Sequence, residues 1–134
     1  MKALLLAILI PWGAATMNEE SEGRQLPVGL WGGAHIGLEV ADRGAHLEFD
    51  CAHGEIDGKI VLDRKGGFKI AGNYVEERGG PVRAGADESG SPVWYVGQLT
   101  GNRLKLTIRR RDNNRSLGTY SLRLGQEPMV VKCR

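Results

Sequence analysis

Residues 48 to 54 read Glu48-Phe49-Asp50-Cys51-Ala52-His53-Gly54. A thiol, an imidazole and two carboxylates this close together could do three kinds of chemistry. A thiolate nucleophile with a histidine base needs electropositive surroundings to lower the thiol pKa, and Asp50 beside Cys51 pushes the other way. A metal site would draw on His35, His46, His53, Asp50 and Glu48, since imidazole and carboxylate suit zinc. The chain has no compact ligand spacing such as two histidines four residues apart, so no metal ligand and no cofactor is assigned. The third chemistry is a disulfide. The chain has two cysteines, Cys51 and Cys133, and an even count in an exported protein favours pairing.

A second candidate lies at Arg78 to Arg83, Arg-Gly-Gly-Pro-Val-Arg. Gly79, Gly80 and Pro81 fix a turn that sets two guanidinium groups near each other, as donors to an anion or carboxylate. The competing role for this loop is structural: Val82 plugs the end of the fold, and the arginines pair with Glu76, Glu77 or Asp87. Candidate binding residues are therefore Arg78, Arg83, His53, His35 and Asp50. No nucleophile, base and orienting group stand together, so no catalytic residue is assigned. Asn114-Arg115-Ser116 has the pattern of a glycosylation acceptor.

The N-terminus reads as an export signal. Met1-Lys2 is followed by the apolar run from Ala3 to Ile10, then Pro11, with small residues at Gly13 and Ala15. Charge, apolar core and small-residue cleavage site occur in the order of a secretory signal peptide. The core is too short for the roughly 20 residues that cross a bilayer. Residues 1–15 are read as the signal, 16–28 as a flexible lead-in, and 29–134 as one domain, with the protein periplasmic or extracellular. Its 18 Lys and Arg against 16 Asp and Glu give a formal +2. That balance gives no reason to expect nucleic acid as a partner.

The elements that must position these residues are strands. Period-2 alternation recurs, and the 20 glycines suit tight turns. Ile36, Leu38 and Val40 alternate with polar residues, as do Ala45, Leu47, Phe49 and Cys51. A short loop between the two runs pairs 40 with 45, 38 with 47 and 36 with 49, and faces His35 towards Asp50 and Glu39 towards His46. Residues 93–99 and 103–109 flank Gly101-Asn102, a two-residue hairpin cue. That register pairs 99 with 104, 97 with 106 and 95 with 108, and sets Trp94 opposite Arg109 as a cation–π pair. Further strands are expected at 58–63, 68–75, 116–124 and 128–133. About eight short strands in succession predict an all-β fold, an antiparallel up-and-down β-barrel, with a β-sandwich as the alternative. Even-numbered strands then run back to the end where the first begins. Cys51 and Cys133 fall there together, both on the inward face, and so do His35, the 76–91 loop and the turn at 111–115.

Gly29-Leu30-Trp31, opening the first strand, resembles the G-x-W signature of lipocalin-like, calycin barrels. The chain is shorter than a lipocalin and shows no C-terminal helix. It also resembles a set of small exported bacterial proteins with Trp31 to His35 (WGGxH), Glu48 to Gly54 (EFDCAHG), Arg78 to Arg83 (RGGPVR) and a terminal Lys132-Cys133. The first likeness implies a barrel that holds or presents a ligand; the second supports family membership and brings no particular activity to expect.

The expected function is thus a non-catalytic exported barrel binding a small ligand or anionic group at the disulfide-closed end. The alternatives are a protein–protein module, such as a periplasmic protease inhibitor working through residues 16–28, and an enzyme whose site assembles only in three dimensions. Titration of the unreduced, exported protein with a thiol reagent is expected to find no free SH. Two reactive thiols would overturn the pairing.

Overall fold

A computed structural model describes residues 23–77 and 90–133. The chain is all-β and, among the described residues, has no helix to cross a membrane. In chain order the strands are β1 (Arg24–Gln25), β2 (Gly29–Gly33), β3 (Ile36–Ala41), β4 (Gly44–Phe49), β5 (Ala52–Ile56), β6 (Val61–Leu62), β7 (Gly67–Glu76), β8 (Ser91–Thr100), β9 (Arg103–Arg110) and β10 (Ser116–Leu124). Eight of them close an antiparallel barrel in the order β10-β2-β3-β4-β5-β7-β8-β9, while β1 and β6 form a separate two-stranded sheet.

Both hairpins take the register that matched their apolar faces. Ile36, Leu38 and Val40 lie opposite Phe49, Leu47 and Ala45. Tyr95, Gly97 and Leu99 lie opposite Ile108, Leu106 and Leu104. Trp94 does stand across from Arg109, but the cations over its ring are Lys69, with Nζ 4.6 Å from the centroid, and Arg111 at 5.5 Å. Arg109 instead donates from Nη1 to the Asn114 carbonyl.

Three expectations are corrected. The run 58–63 is not a barrel strand. Its place is taken by β5, 52–56, while Ile60 and Leu62 sink into the core beside Leu26 at the end opposite the disulfide. Residues 24–28 belong to the fold: β1 pairs with β6, Leu26 N–H donates to the Ile60 carbonyl, and Leu26 is fully buried. Residues 128–133 are not a strand and do not face inward. The chain after β10 crosses the outside of the barrel, so Met129, Val131, Cys51 and Cys133 are exposed. The 1–15 signal, most of the lead-in and the Arg78 to Arg83 loop lie outside the described residues.

The interior is filled. Trp31, Leu38, Leu47, Tyr95, Leu106 and Ile108 pack at its centre with almost no exposure. Aromatic rings occupy the room that inward-facing glycines leave. A Cβ on Gly54 would lie 2.1 Å from the Tyr95 hydroxyl, and one on Gly97 would lie 2.3 Å from the Phe68 ring. The Tyr95 hydroxyl, donating to the Asn73 carbonyl at 2.6 Å, satisfies its polar tip. At the disulfide-tied end the Phe49 ring packs at a tilt against both Tyr74 and Tyr120, with centroids 5.3 Å apart. Because overpacking a filled core costs about 1–3 kcal/mol, Gly54→Ala is expected to lower unfolding free energy by that amount, read from urea midpoints. An unchanged midpoint would contradict the tight fit.

Candidate functional site at the disulfide-tied end

Four segments meet at this end: the β2–β3 turn at Ala34-His35, the β4–β5 turn at Asp50-Cys51, the end of β7, and the C-terminal tail. The tail runs parallel to β2 along one bridge, Ala34 to Met129. Met129 N–H donates to the Gly33 carbonyl, and His35 N–H donates to the Met129 carbonyl. Holding that bond puts His35 in the left-handed region, at φ 70°. An L-residue pays of order 1–2 kcal/mol there.

Asp50 is the hub. Its Oδ2 meets His35 Nδ1 at 2.7 Å and its Oδ1 accepts Val131 N–H at 3.0 Å. Its carbonyl accepts the N–H of Cys133. The Val131 amide first, and the His35 ring second, hold the carboxyl below the usual aspartate range. One residue later Cys51 is joined to Cys133, with Cα atoms 5.1 Å apart, inside the ordinary range for a disulfide. With both sulfurs joined there is no thiolate for nucleophilic chemistry.

Lys132 reaches across the same turn. Its ammonium donates to Glu48 Oε1 at 2.8 Å and to the carbonyls of Phe49 at 2.9 Å and Ala52 at 3.2 Å. It also lies 2.9 Å from Glu77 Oε1. Partial burial alone would lower the Lys132 pKa; the two glutamates outweigh it and raise the value. Glu48 and Glu77 respond in kind. Partial burial would raise them, but hydrogen bonds from Lys132 and from a histidine bring them below the usual glutamate range.

The histidines stand on the outer face of β4 and β5, where register places His46 beside Glu55 and Glu48 beside His53. His46 Nδ1 bonds Glu55, and its Nε2 lies 2.5 Å from Glu48 Oε2. Two carboxylate acceptors on one ring require both nitrogens to donate, which is the imidazolium form. Burial would lower the His46 pKa, yet the hydrogen bonds it donates to Glu48 and Glu55 raise it. His53 Nδ1 bonds Glu77 at 2.6 Å.

The residues singled out in the sequence are thus partly united. His35 and Asp50 touch. His53 joins Glu77 instead, and Arg78 and Arg83 lie outside the described residues. Glu39 is paired in register with His46, although the ring turns to Glu48 and Glu55. Sequence reasoning assigned no contact to Lys132 or Glu55, and offered Glu77 to the loop arginines rather than to His53 and Lys132. The register of β5 was the signal that would have found the two glutamate contacts. Among the described residues no group of three or more His, Cys, Asp or Glu could hold a metal ion, because each carboxylate here is aimed at a ring N–H, an amide or Lys132.

With this geometry in view, no protein-family model, no curated protein and no solved structure matches the chain.

The charged network gives stability a two-sided pH dependence. His46, raised from 6.5, contributes fully below that value and loses its contribution as pH climbs through the folded-state pKa. Glu48 and Glu77, lowered from 4.5, contribute fully above that value and lose it as pH falls through theirs. Stability should therefore be greatest between about pH 4.5 and 6.5, with each exposed pair contributing about 0.2–1 kcal/mol. His46→Gln should flatten the alkaline limb of urea midpoints measured from pH 3 to 9 and leave the acid limb in place. An alkaline limb unchanged by the substitution would refute the assignment.

Proposed function

We propose that this chain is an exported, non-catalytic binding protein that recognises its ligand with the outside of the barrel, at the disulfide-tied end. The observation that carries this reading is the combination of a filled interior with a rigid strap outside it. A cavity-binding role needs room, and Trp31, Tyr95 and Phe68 occupy the room. The strap holds Met129 at 58% and Val131 at 77% exposure. The disulfide, the Asp50 bonds and the Lys132 cage fix its backbone. A surface ordered before binding loses less freedom on association, and exposed apolar side chains on a fixed strand of chain suit a partner's apolar surface.

A small anionic ligand held by Arg78 and Arg83 is the second reading, supported by the sequence of their loop, whose flanking residue Glu77 donates its backbone N–H to the Cys51 carbonyl at this same end. A protease inhibitor is one form the protein-partner reading takes. Residues 24–28 are part of the fold, so a truncation testing an N-terminal inhibitory segment must stop before Gly23.

Crosslinking the full chain in the extracytoplasmic fraction of its host separates the two readings. Loss of a specific adduct in Met129→Ser/Val131→Ser supports a protein partner on the strap. Loss of phosphate binding in Arg78→Ser/Arg83→Ser, followed calorimetrically, supports an anionic ligand. If neither pair changes anything, recognition at this end is wrong.

A further inference from the structure

The formal charge of +2 conceals a separation of charge around the barrel. Outward positions of β3 to β5 carry Glu39, His46, Glu48, His53 and Glu55, most of them bonded to one another. On the far side, the outward positions of β8 to β10 carry no carboxylate. Register builds them into rows: Thr100, Arg103 and Arg123; Gln98, Lys105 and Ser121; Val96, Thr107 and Thr119; Trp94, Arg109 and Ser116. Lys69 flanks Val96 from β7, and Arg111 follows at the foot of β9.

We infer that this face is a docking strip for an extended anionic polysaccharide. Three observations argue for an external polyanion. Among the described residues none of Lys69, Arg103, Lys105, Arg109, Arg111 or Arg123 makes a salt bridge, and the nearby Asp112 is taken by Arg110. Arg103 and Arg123 are direct cross-strand partners, a like-charge arrangement that destabilises a sheet. The cations also extend along the strand rather than clustering at a point. Arg103 to Arg109 spans about 20 Å at a strand rise of about 3.3 Å per residue, the length of several sugar units.

The composition of the face selects the polymer. Single-stranded nucleic acid binds where successive bases stack on several aromatic side chains. This strip has one aromatic, Trp94, already flanked by Lys69 and Arg111. A membrane surface is met by apolar side chains that enter it, and the rows hold no exposed large apolar residue. Hydroxyls fill the spaces between cations instead. Thr107 and Thr119 are joined at 3.1 Å, with Ser116 and Ser121 alongside. Hydroxyl and guanidinium donors together match the sulfate or carboxylate and hydroxyl groups of an acidic glycan.

The test uses the full exported chain and heparin oligosaccharide as probe, with dextran, a single-stranded oligonucleotide and phosphatidylglycerol vesicles beside it. Heparin is expected to bind, with affinity falling steeply as salt rises, and dextran is expected not to. Arg103→Ser/Lys105→Gln/Arg123→Ser should weaken heparin binding at least 30-fold and reduce the salt slope by about three, one per cation removed. Its Tm should stay level or rise, because the Arg103–Arg123 repulsion is gone, which separates lost binding from lost folding. Arg43→Ser, in the β3–β4 turn and off the strip, should bind as wild type does. Heparin binding unchanged in the triple variant overturns the inference, as does its absence at physiological salt. Tighter binding of the oligonucleotide or the vesicles than of heparin overturns the choice of polymer.

Discussion

Closing the barrel at the seam between β2 and β10 is the constraint on which the rest of the structure depends. Every other neighbouring pair in the barrel shares a longer ladder; this one has two register pairs, Arg123 with Gly32 and Leu124 with Trp31. Beyond them β2 would present an open edge with unpaired backbone groups, which natural sheets avoid. The tail solves this from outside. Gly125 N–H bonds the Leu30 carbonyl, and Met129 pairs with both Gly33 and His35. Its path lies directly over β2 and β3 because Gly32 and Gly37 carry no side chain: a Cβ on Gly32 would meet the Gln126 carbonyl at 2.2 Å, and one on Gly37 would meet Pro128 at 2.9 Å. The disulfide then locks the far end of the tail across a sequence separation of 82. In the chain-entropy account that constraint is worth about 4.5 kcal/mol, and it acts where the barrel's own ladder is shortest.

The same economy of side chains governs the interior. Tyr95 and Phe68 need floor space on neighbouring strands, and Gly54, Gly72 and Gly97 give it. Filling the centre with large rings leaves little room there for a guest. It also makes the barrel stiff, because rings wedged against backbone have few alternative rotamers. The protein is therefore better suited to presenting fixed groups on its surface than to opening around a guest.

Strand identity was legible where both faces obeyed the alternation, as at 36–40 with 45–49 and at 93–99 with 103–109. It failed where the interior imposed its own terms. In β5 the inward residues are Ala52, Gly54 and Ile56, and Gly54 must be small for Tyr95 to fit, so the strand lacks an apolar signature. The run at 58–63 has the signature, yet Ile60 and Leu62 are spent in sealing the end of the barrel with Leu26. Met129, Val131 and Cys133 alternate as a strand would, but a strap on an outer surface can alternate without an inward face. One missed strand and one split first strand replaced two false ones, so the count of eight and the parity of directions survived. That parity is why the cysteines, His35 and Asp50 were rightly gathered at one end, while the contacts of His53 and Lys132 depended on β5 and the strap and stayed hidden.

Net charge fails as a guide for a related reason. Composition counts charges; a closed sheet sorts them, since each residue has one face and one cross-strand neighbour on each side. On β3 to β5 and at the end of β7 the sorting sets carboxylates beside imidazoles and Lys132, and Glu48, Glu55 and Glu77 each find an opposite charge within hydrogen-bond distance. Charge of that kind is used up in holding the turn and strap together, and it offers little field to a partner. On β8 to β10 the sorting sets arginine against arginine, and the potential adds along the strip instead of cancelling. Two faces with comparable numbers of charged residues thus differ in what is left over, and it is the uncompensated face that can attract an anion from a distance set by the Debye length of about 8 Å.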